Sequence, residues 1–174
     1  MSCRLSGYAG TEITGDEARA QRYLLTRYET ELRYSWSAGR ATSRFLAGLK
    51  AGEIWAKRCD RCGRTLVPPR MYCEQCFSPT KEWVRVRDTG KVLTYSISYV
   101  NADASRRQEP ILVAVIEIDG ASPMMGLLHT LGEVSPESVT VGMKVRASWK
   151  PKNERQGAMT DIRYFKPTGG TRKR

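Results

Sequence analysis

Two C-x-x-C pairs, Cys59-x-x-Cys62 and Cys73-x-x-Cys76, stand ten residues apart and hold four of the chain's five cysteines. One such pair is a weak signal. Two at this spacing let both sulfurs of each tight turn reach the same ion, the pattern of a four-thiolate tetrahedral site. Gly63 follows the second cysteine, where such a turn asks for a residue that tolerates positive φ. Pro68 and Pro69 stiffen the connection between the pairs. Zinc is the expected occupant, because structural sites with four cysteine ligands are usually zinc. Iron in a rubredoxin-like site would use the same ligands. The alternatives are two disulfides or four free thiols. With no signal peptide ahead of the chain, a reducing compartment is expected, and disulfides are disfavoured there. Four thiolates close the coordination sphere and leave no position for water or substrate. The metal's expected job is therefore to fold a segment with little apolar core of its own.

A chain of 174 residues accommodates one to two small domains. Met1-Ser2-Cys3-Arg4-Leu5 opens no apolar run, and no run anywhere is long enough to span a bilayer, so a cytoplasmic soluble protein is expected. The net charge of +11 points first to nucleic acid or another phosphate-bearing partner. Its distribution points elsewhere. Residues 1–58 carry +4 and residues 151–174 carry +5, whereas 59–80 and 81–150 carry +1 each. The body of the chain is close to neutral and the excess sits at its ends.

Thr14-Gly15-Asp16-Glu17 reads as a capping box that opens a helix. Leu25, Tyr28, Leu32 and Trp36 then recur on one helical face, widened by Leu24. Ser35 to Gly39 is a break. Thr42 or Ser43 is the expected cap of a second, short helix carrying Phe45, Leu46 and Leu49, with Gly52 ending it. The stripe on the first helix needs a surface, either its own domain or a partner subunit. Beyond the cysteines the pattern turns to strands: Trp83–Val86, Lys91–Val100, Ile111–Ile118, Met124–Thr130, Lys144–Trp149 and Thr160–Phe165. Asn101–Pro110 reads as a polar loop, and Pro136–Gly142 as a connection with a helical turn. Five or six short strands in so few residues predict a small closed barrel.

The catalytic inventory is short. His129 is the single histidine, set inside an apolar strand pattern that suits a barrel-lining residue. Cys3 is the one cysteine outside the cluster. No nucleophile–base pair can be built from these, and no phosphate-binding glycine motif is present. The expectation is a non-catalytic subunit or binding module.

Ser37-Ala38-Gly39, Arg44-Phe45-Leu46, Leu49, Gly52, Cys59-x-x-Cys62-Gly63, Pro68-Pro69-Arg70 and Cys73-x-x-Cys76 resemble the DUF35 family. So do Thr89-Gly90-Lys91-Val92 and Val141 to Val145. The resemblance runs from about Trp36 to Phe165. The second knuckle departs from the first in carrying Phe77 where the first has Gly63. The likeness implies a rubredoxin-like zinc ribbon paired with an OB-fold, and residues 1–35 fall outside it. Taken with the residue patterns above, the expectation is a mainly β chain with N-terminal α-helices: a helical segment at 1–52, a rubredoxin-like zinc ribbon at 53–80, an OB-fold barrel at 81–167 and a flexible basic tail at 168–174. The likeness also implies a role. Members of the family accompany thiolases, aldolases and hydratases of acyl-CoA metabolism, among them the benzoylsuccinyl-CoA thiolase. They stabilise their partners, and in some complexes they help to hold coenzyme A.

Two functional readings follow. In the first, this chain is an accessory subunit in a hetero-oligomer with a thiolase-like enzyme that supplies the catalytic residues. Cys59, Cys62, Cys73 and Cys76 would hold the metal. Lys57, Arg58, Arg61, Arg64 and Arg70 are candidate contacts for the phosphates of coenzyme A. Leu25, Tyr28, Leu32 and Trp36 are the candidate partner interface. In the second, a zinc ribbon with a small barrel binds nucleic acid, with Tyr95, Tyr99 and Trp149 as stacking platforms. The barrel's near-neutral charge disfavours it.

Overall fold

The computed structural model describes residues 14–20, 35, 37–101 and 105–169. The chain divides into two compact units, Met1–Trp36 and Ser37–Arg174. In the first, the described residues form a short helix, α1 (Gly15–Arg19), which opens at the expected signal and pairs Arg19 with Asp16. The stripe of Leu25, Tyr28, Leu32 and Trp36 lies outside the described residues, as do Cys3 and residues 170–174.

The second unit opens with α2 (Gly39–Ala51). The helix starts at Gly39, ahead of the expected caps at Thr42 and Ser43, and the Ser37 hydroxyl accepts the Gly39 N–H at 3.2 Å. Its end is where the sequence places it. Gly52 adopts φ 83° and donates to Leu49, and the next N–H, of Glu53, reaches Gly48 at 2.8 Å. Phe45 and Leu49 are fully buried, which contributes about 1.5–3 kcal/mol each. Gly48 lets the helix approach closely, since a Cβ there would lie 2.4 Å from Trp55 Cδ1.

Three antiparallel strands follow, β1 (Ile54–Cys59), β2 (Thr65–Leu66) and β3 (Thr80–Val86), in the order β2-β1-β3. Five more form the barrel: β4 (Thr89–Val100), β5 (Arg106–Ile118), β6 (Gly126–Thr130), β7 (Lys144–Trp149) and β8 (Ile162–Pro167), in the order β6-β5-β4-β7-β8. β5 begins at Arg106, inside the stretch whose polarity reads as loop, and Val100 pairs with Arg106. That arm of the β4–β5 pair is solvated, so backbone pairing needs no apolar residues there. At Gly90 the chain pairs with Ile118 on one side and Val145 on the other. Only glycine fits, because a Cβ would meet the Glu117 carbonyl oxygen.

The expected closed barrel is partly open. β6 and β8 meet at one parallel bridge, Leu131 to Phe165, where the Gly132 N–H donates to the Phe165 carbonyl at 2.9 Å. β6 is five residues long, which leaves no length for a parallel ladder. The arrangement is that of an OB-fold, a five-stranded, partly open barrel. One apolar core runs through the unit, joining Phe45 and Leu49 of α2 to Ile54, Ala56, Val67 and Val86 around the three-stranded sheet. It continues through Val92, Ile116, Ile118, Leu127, Val145, Ile162 and Phe165 of the barrel.

The loop between β7 and β8 is organised by Asp161, which is fully buried. Its carboxylate accepts the N–H groups of Gln156, Gly157 and Ala158 at 2.9, 2.7 and 3.1 Å. Burial acts to raise its pKa, but these three donors and the Lys150 charge outweigh it and hold the carboxyl below its usual range. A depressed carboxylate stabilises the fold above the unfolded pKa of about 3.9 and loses that contribution as pH falls through the lower folded value. Asp161→Asn should therefore cost about 1.5–3 kcal/mol at pH 7. In paired thermal melts the gap between variant and wild type should narrow below pH 4. A gap that stays constant with pH would show that the charge is not what matters.

Candidate metal centre

The two cysteine knuckles share one local construction. In the first, the Cys59 N–H donates to the Arg64 carbonyl at 2.8 Å and the Gly63 N–H to the Cys59 carbonyl at 2.9 Å. In the second, the Cys73 N–H donates to Ser78 at 2.9 Å and the Phe77 N–H to Cys73 at 3.0 Å. The residue after each second cysteine takes the left-handed conformation, Gly63 at φ 70° and Phe77 at φ 51°. Facing each other, the knuckles bring the four sulfurs within 4.8 Å of one another. Cys59 and Cys76 are 3.3 Å apart, Cys62 and Cys73 3.6 Å, and Cys62 and Cys76 3.8 Å.

These separations are far longer than the roughly 2.05 Å of a disulfide, and all four thiols are free. They match the edge of a tetrahedron with metal–sulfur bonds of about 2.3 Å, which is roughly 3.8 Å. Backbone donors prepare the sulfurs for a cation. The N–H of Cys62 leads in pulling the Cys59 thiol down to about 7. The N–H groups of Cys76 and Gln75 lower Cys73 in the same way. At Cys62 the N–H of Arg64 pulls down, but burial and the three neighbouring sulfurs push the thiol up to about 12. Thiolates packed this closely repel one another, and a dication is the group that relieves the repulsion. The donor set fits a closed zinc site, with no open position for substrate.

Around the sulfurs the apolar support is small. Cys59, Leu66 and Cys73 are buried together, with Met125 and Cys76 against them. Met125 comes from the barrel, in the loop before β6. The same loop docks on β2, where Ser122 Oγ accepts the Thr65 N–H at 2.9 Å and the Ser122 N–H donates to the Thr65 carbonyl at 3.0 Å. No short-range sequence signal marks this contact.

The candidate phosphate contacts separate into three groups. Lys57 is turned inward and buried, its ammonium donating to the Thr80 carbonyl at 2.6 Å and standing 5.0 Å from the Trp83 ring. Burial lowers its pKa, with Arg40 and Arg44 adding to the effect and Asp60 opposing it. Arg64 and Arg70 converge on Glu74, at 2.8 and 3.6 Å. Arg58 and Arg61 are exposed. The five therefore do not form one cradle. Sequence reasoning also missed a stack at the ribbon's edge, in which the Arg44 guanidinium sits between Trp55 and Trp83, 4.8 and 4.5 Å from their centroids. It ties α2 to β1 and β3.

His129 is structural. Its Nδ1 accepts the Thr130 N–H at 2.9 Å, which leaves the proton on Nε2 to donate to the Met159 carbonyl at 3.2 Å. Its ring lies edge-on to Phe165.

Comparison with known proteins agrees with this construction. The family model for the rubredoxin-like zinc ribbon domain of ChsH2 matches residues 46–82, and that for the C-terminal OB-fold domain of ChsH2 matches 83–150. A DUF35 domain-containing scaffold protein of Methanocaldococcus jannaschii is 32% identical over 113 residues, 63% of this chain and 78% of its own length. This chain belongs to the DUF35 family. A second DUF35 domain-containing scaffold protein, from Methanothermobacter thermautotrophicus, is 25% identical over 66% of this chain and 86% of its own. Among solved structures, a DUF35 protein of unknown function from Sulfolobus solfataricus superposes with a TM-score of 0.51 at 32% identity, covering 63% of this chain and 78% of that one. The Ltp2–ChsH2(DUF35) aldolase contains a chain that superposes with a TM-score of 0.57 at 20% identity, covering 78% of this chain and all of that one. The DUF35 chain thus has a zinc ribbon followed by an OB-fold, and these two relatives are named scaffold proteins.

The metal centre is tested by replacing one ligand. The wild-type protein should carry about one zinc per chain by elemental analysis. Cys62→Ser should lose the metal and melt far below wild type, since a ribbon this small folds through its metal. Full metal content and unchanged melting in Cys62→Ser would remove the site.

Proposed function

We propose that this DUF35 chain is a non-catalytic scaffold subunit of an acyl-CoA-processing enzyme, of thiolase type, in a reducing cytoplasmic compartment. The observation that carries the reading is the closed set of four sulfurs, Cys59, Cys62, Cys73 and Cys76, which can hold Zn(II) for folding but offers it no substrate. Beside it, both nitrogens of the single histidine are taken up by hydrogen bonds within the fold. The naming of the relatives as scaffold proteins supports the role, and so does the presence of a similar chain in the Ltp2–ChsH2(DUF35) aldolase.

In this reading the partner supplies the chemistry and this chain supplies surface. Leu25, Tyr28, Leu32 and Trp36 are proposed to lie on the partner, where four large side chains would contribute about 1.5–3 kcal/mol each before the costs of association. For the phosphates of coenzyme A, Arg58 and Arg61 remain as exposed candidates from the ribbon set. A cleft of about 680 Å³ between ribbon and barrel, lined in part by Arg85, Arg87 and Arg146, offers further cations. Arg85 and Arg146 there already face Glu53 and Asp88, at 3.0 and 4.0 Å.

Three outcomes are expected. The tagged full-length chain should co-purify with an acyl-CoA enzyme. The chain alone should give no turnover of acyl-CoA esters. Deleting residues 1–36 should leave the unit beginning at Ser37 folded and zinc-loaded but abolish assembly. Turnover by the isolated chain would end the non-catalytic reading. Undiminished assembly of the truncated chain, or collapse of its barrel, would remove the proposed helical interface.

A further inference from the structure

We infer that Phe77 is the anchor by which the second cysteine knuckle docks into an apolar pocket on the enzyme subunit, an inference that rests on the scaffold reading above. The two knuckles make the same pair of backbone hydrogen bonds, and each turns at a left-handed residue. In the first that residue is Gly63, which has no Cβ and adopts φ 70° freely. In the second it is Phe77 at φ 51°, a conformation that glycine and asparagine adopt readily and that is unfavourable for a bulky side chain such as phenylalanine. The turn can be made by glycine, so the fold does not call for phenylalanine there.

Nor does the ring serve the core. Phe77 is 83% exposed, more than any other large apolar side chain among the described residues. Tyr72, 63% exposed, belongs to the same loop and is bridged to Pro79 across it. The aromatic residue is thus held on a strained backbone, pointed at solvent, by a loop whose ends are tied to the sulfur centre. A large aromatic side chain presented on a backbone fixed in this way suits an interface anchor. It has a large area to bury and only two side-chain torsions to order.

Charge identifies the kind of pocket. Arg58 and Arg61, on the same ribbon, are exposed and form no ion pair among the described residues. A second copy of this chain would bring the same cations against them. An enzyme surface with an apolar hollow rimmed by carboxylates complements both the ring and the guanidinium groups.

The test uses the full-length, zinc-loaded protein. The enzyme subunit that co-purifies with the tagged wild type is identified by mass spectrometry and purified. Its affinity is then measured by titration calorimetry for wild type, Phe77→Gly, Phe77→Asn and, as a control on β6, Leu128→Ser. Glycine and asparagine both tolerate the left-handed turn, so both Phe77 variants should keep their metal and melt no lower than wild type. Both should weaken the complex by about 30-fold or more, the loss expected at an interface anchor. Leu128→Ser should leave it unchanged. Undiminished affinity in the Phe77 variants would overturn the anchor and leave the scaffold reading standing. If no enzyme accompanies the wild type, both fall. Lower melting of both variants would assign the ring to the ribbon's own packing and overturn the inference. Binding of labelled oligothymidine that is lost in Phe77→Gly would assign the ring to base stacking and overturn it equally.

Discussion

The sulfur centre is the contact that the first half of the folded unit depends on. The ribbon's own apolar cluster holds Cys59, Leu66 and Cys73, and two of those three are ligand candidates. Without a cation the four sulfurs are held together against their mutual repulsion. With one, the same crowding becomes a tetrahedron, and the loops carrying Pro68, Pro69 and Phe77 are fixed at both ends. Metal binding and ribbon folding are then one event.

What the ribbon lacks in core it borrows from its neighbours. Its far end, at Ile54, Ala56 and Val86, enters the same apolar core as α2 and the barrel. At its edge Arg44 is sandwiched between Trp55 and Trp83, with Lys57 on the same tryptophan. At its near end Met125 and Ser122 of the barrel close on the sulfur centre and on Thr65. Ribbon and barrel are therefore joined through the shared apolar core and at the sulfur centre. This suits the scaffold role proposed above, which needs a surface of fixed shape. The Asp161 loop completes the unit, bringing Gly157 to within 3.4 Å of the Leu46 carbonyl oxygen as measured from an added Cβ.

Much of this was legible in the residues because it depends on short-range spacing. The two C-x-x-C turns specify their own geometry, so the donor set could be named from sequence. Alternating strands of the barrel, and Gly52 at the end of α2, rest on equally local rules. Counting charge by segment needs the residues alone, and it separates a near-neutral body from basic ends.

The roles of individual cations were not legible. Lys57, Arg64 and Arg70 lie close in sequence to exposed Arg58 and Arg61, yet one donates to a carbonyl inside the ribbon and two share Glu74. The fates of Lys57 and Arg58 depend on which face of β1 each takes and on what the later strand β3 sets opposite, and those of Arg64 and Arg70 on the fold of the second knuckle, which brings Glu74 to both. Barrel closure was likewise misjudged: a closed barrel is expected from the strand count, but the Leu131–Phe165 bridge joins segments far apart in the chain and depends on where β6 ends. The sequence by itself determined the four-cysteine donor set, the approximate positions of the barrel strands and the end of α2, since each follows from neighbours within a few residues. Tertiary structure alone decided which cations face solvent, how far the barrel closes, and that the Phe77 ring finds no place in the core. Those outcomes depend on contacts between segments that no local pattern encodes.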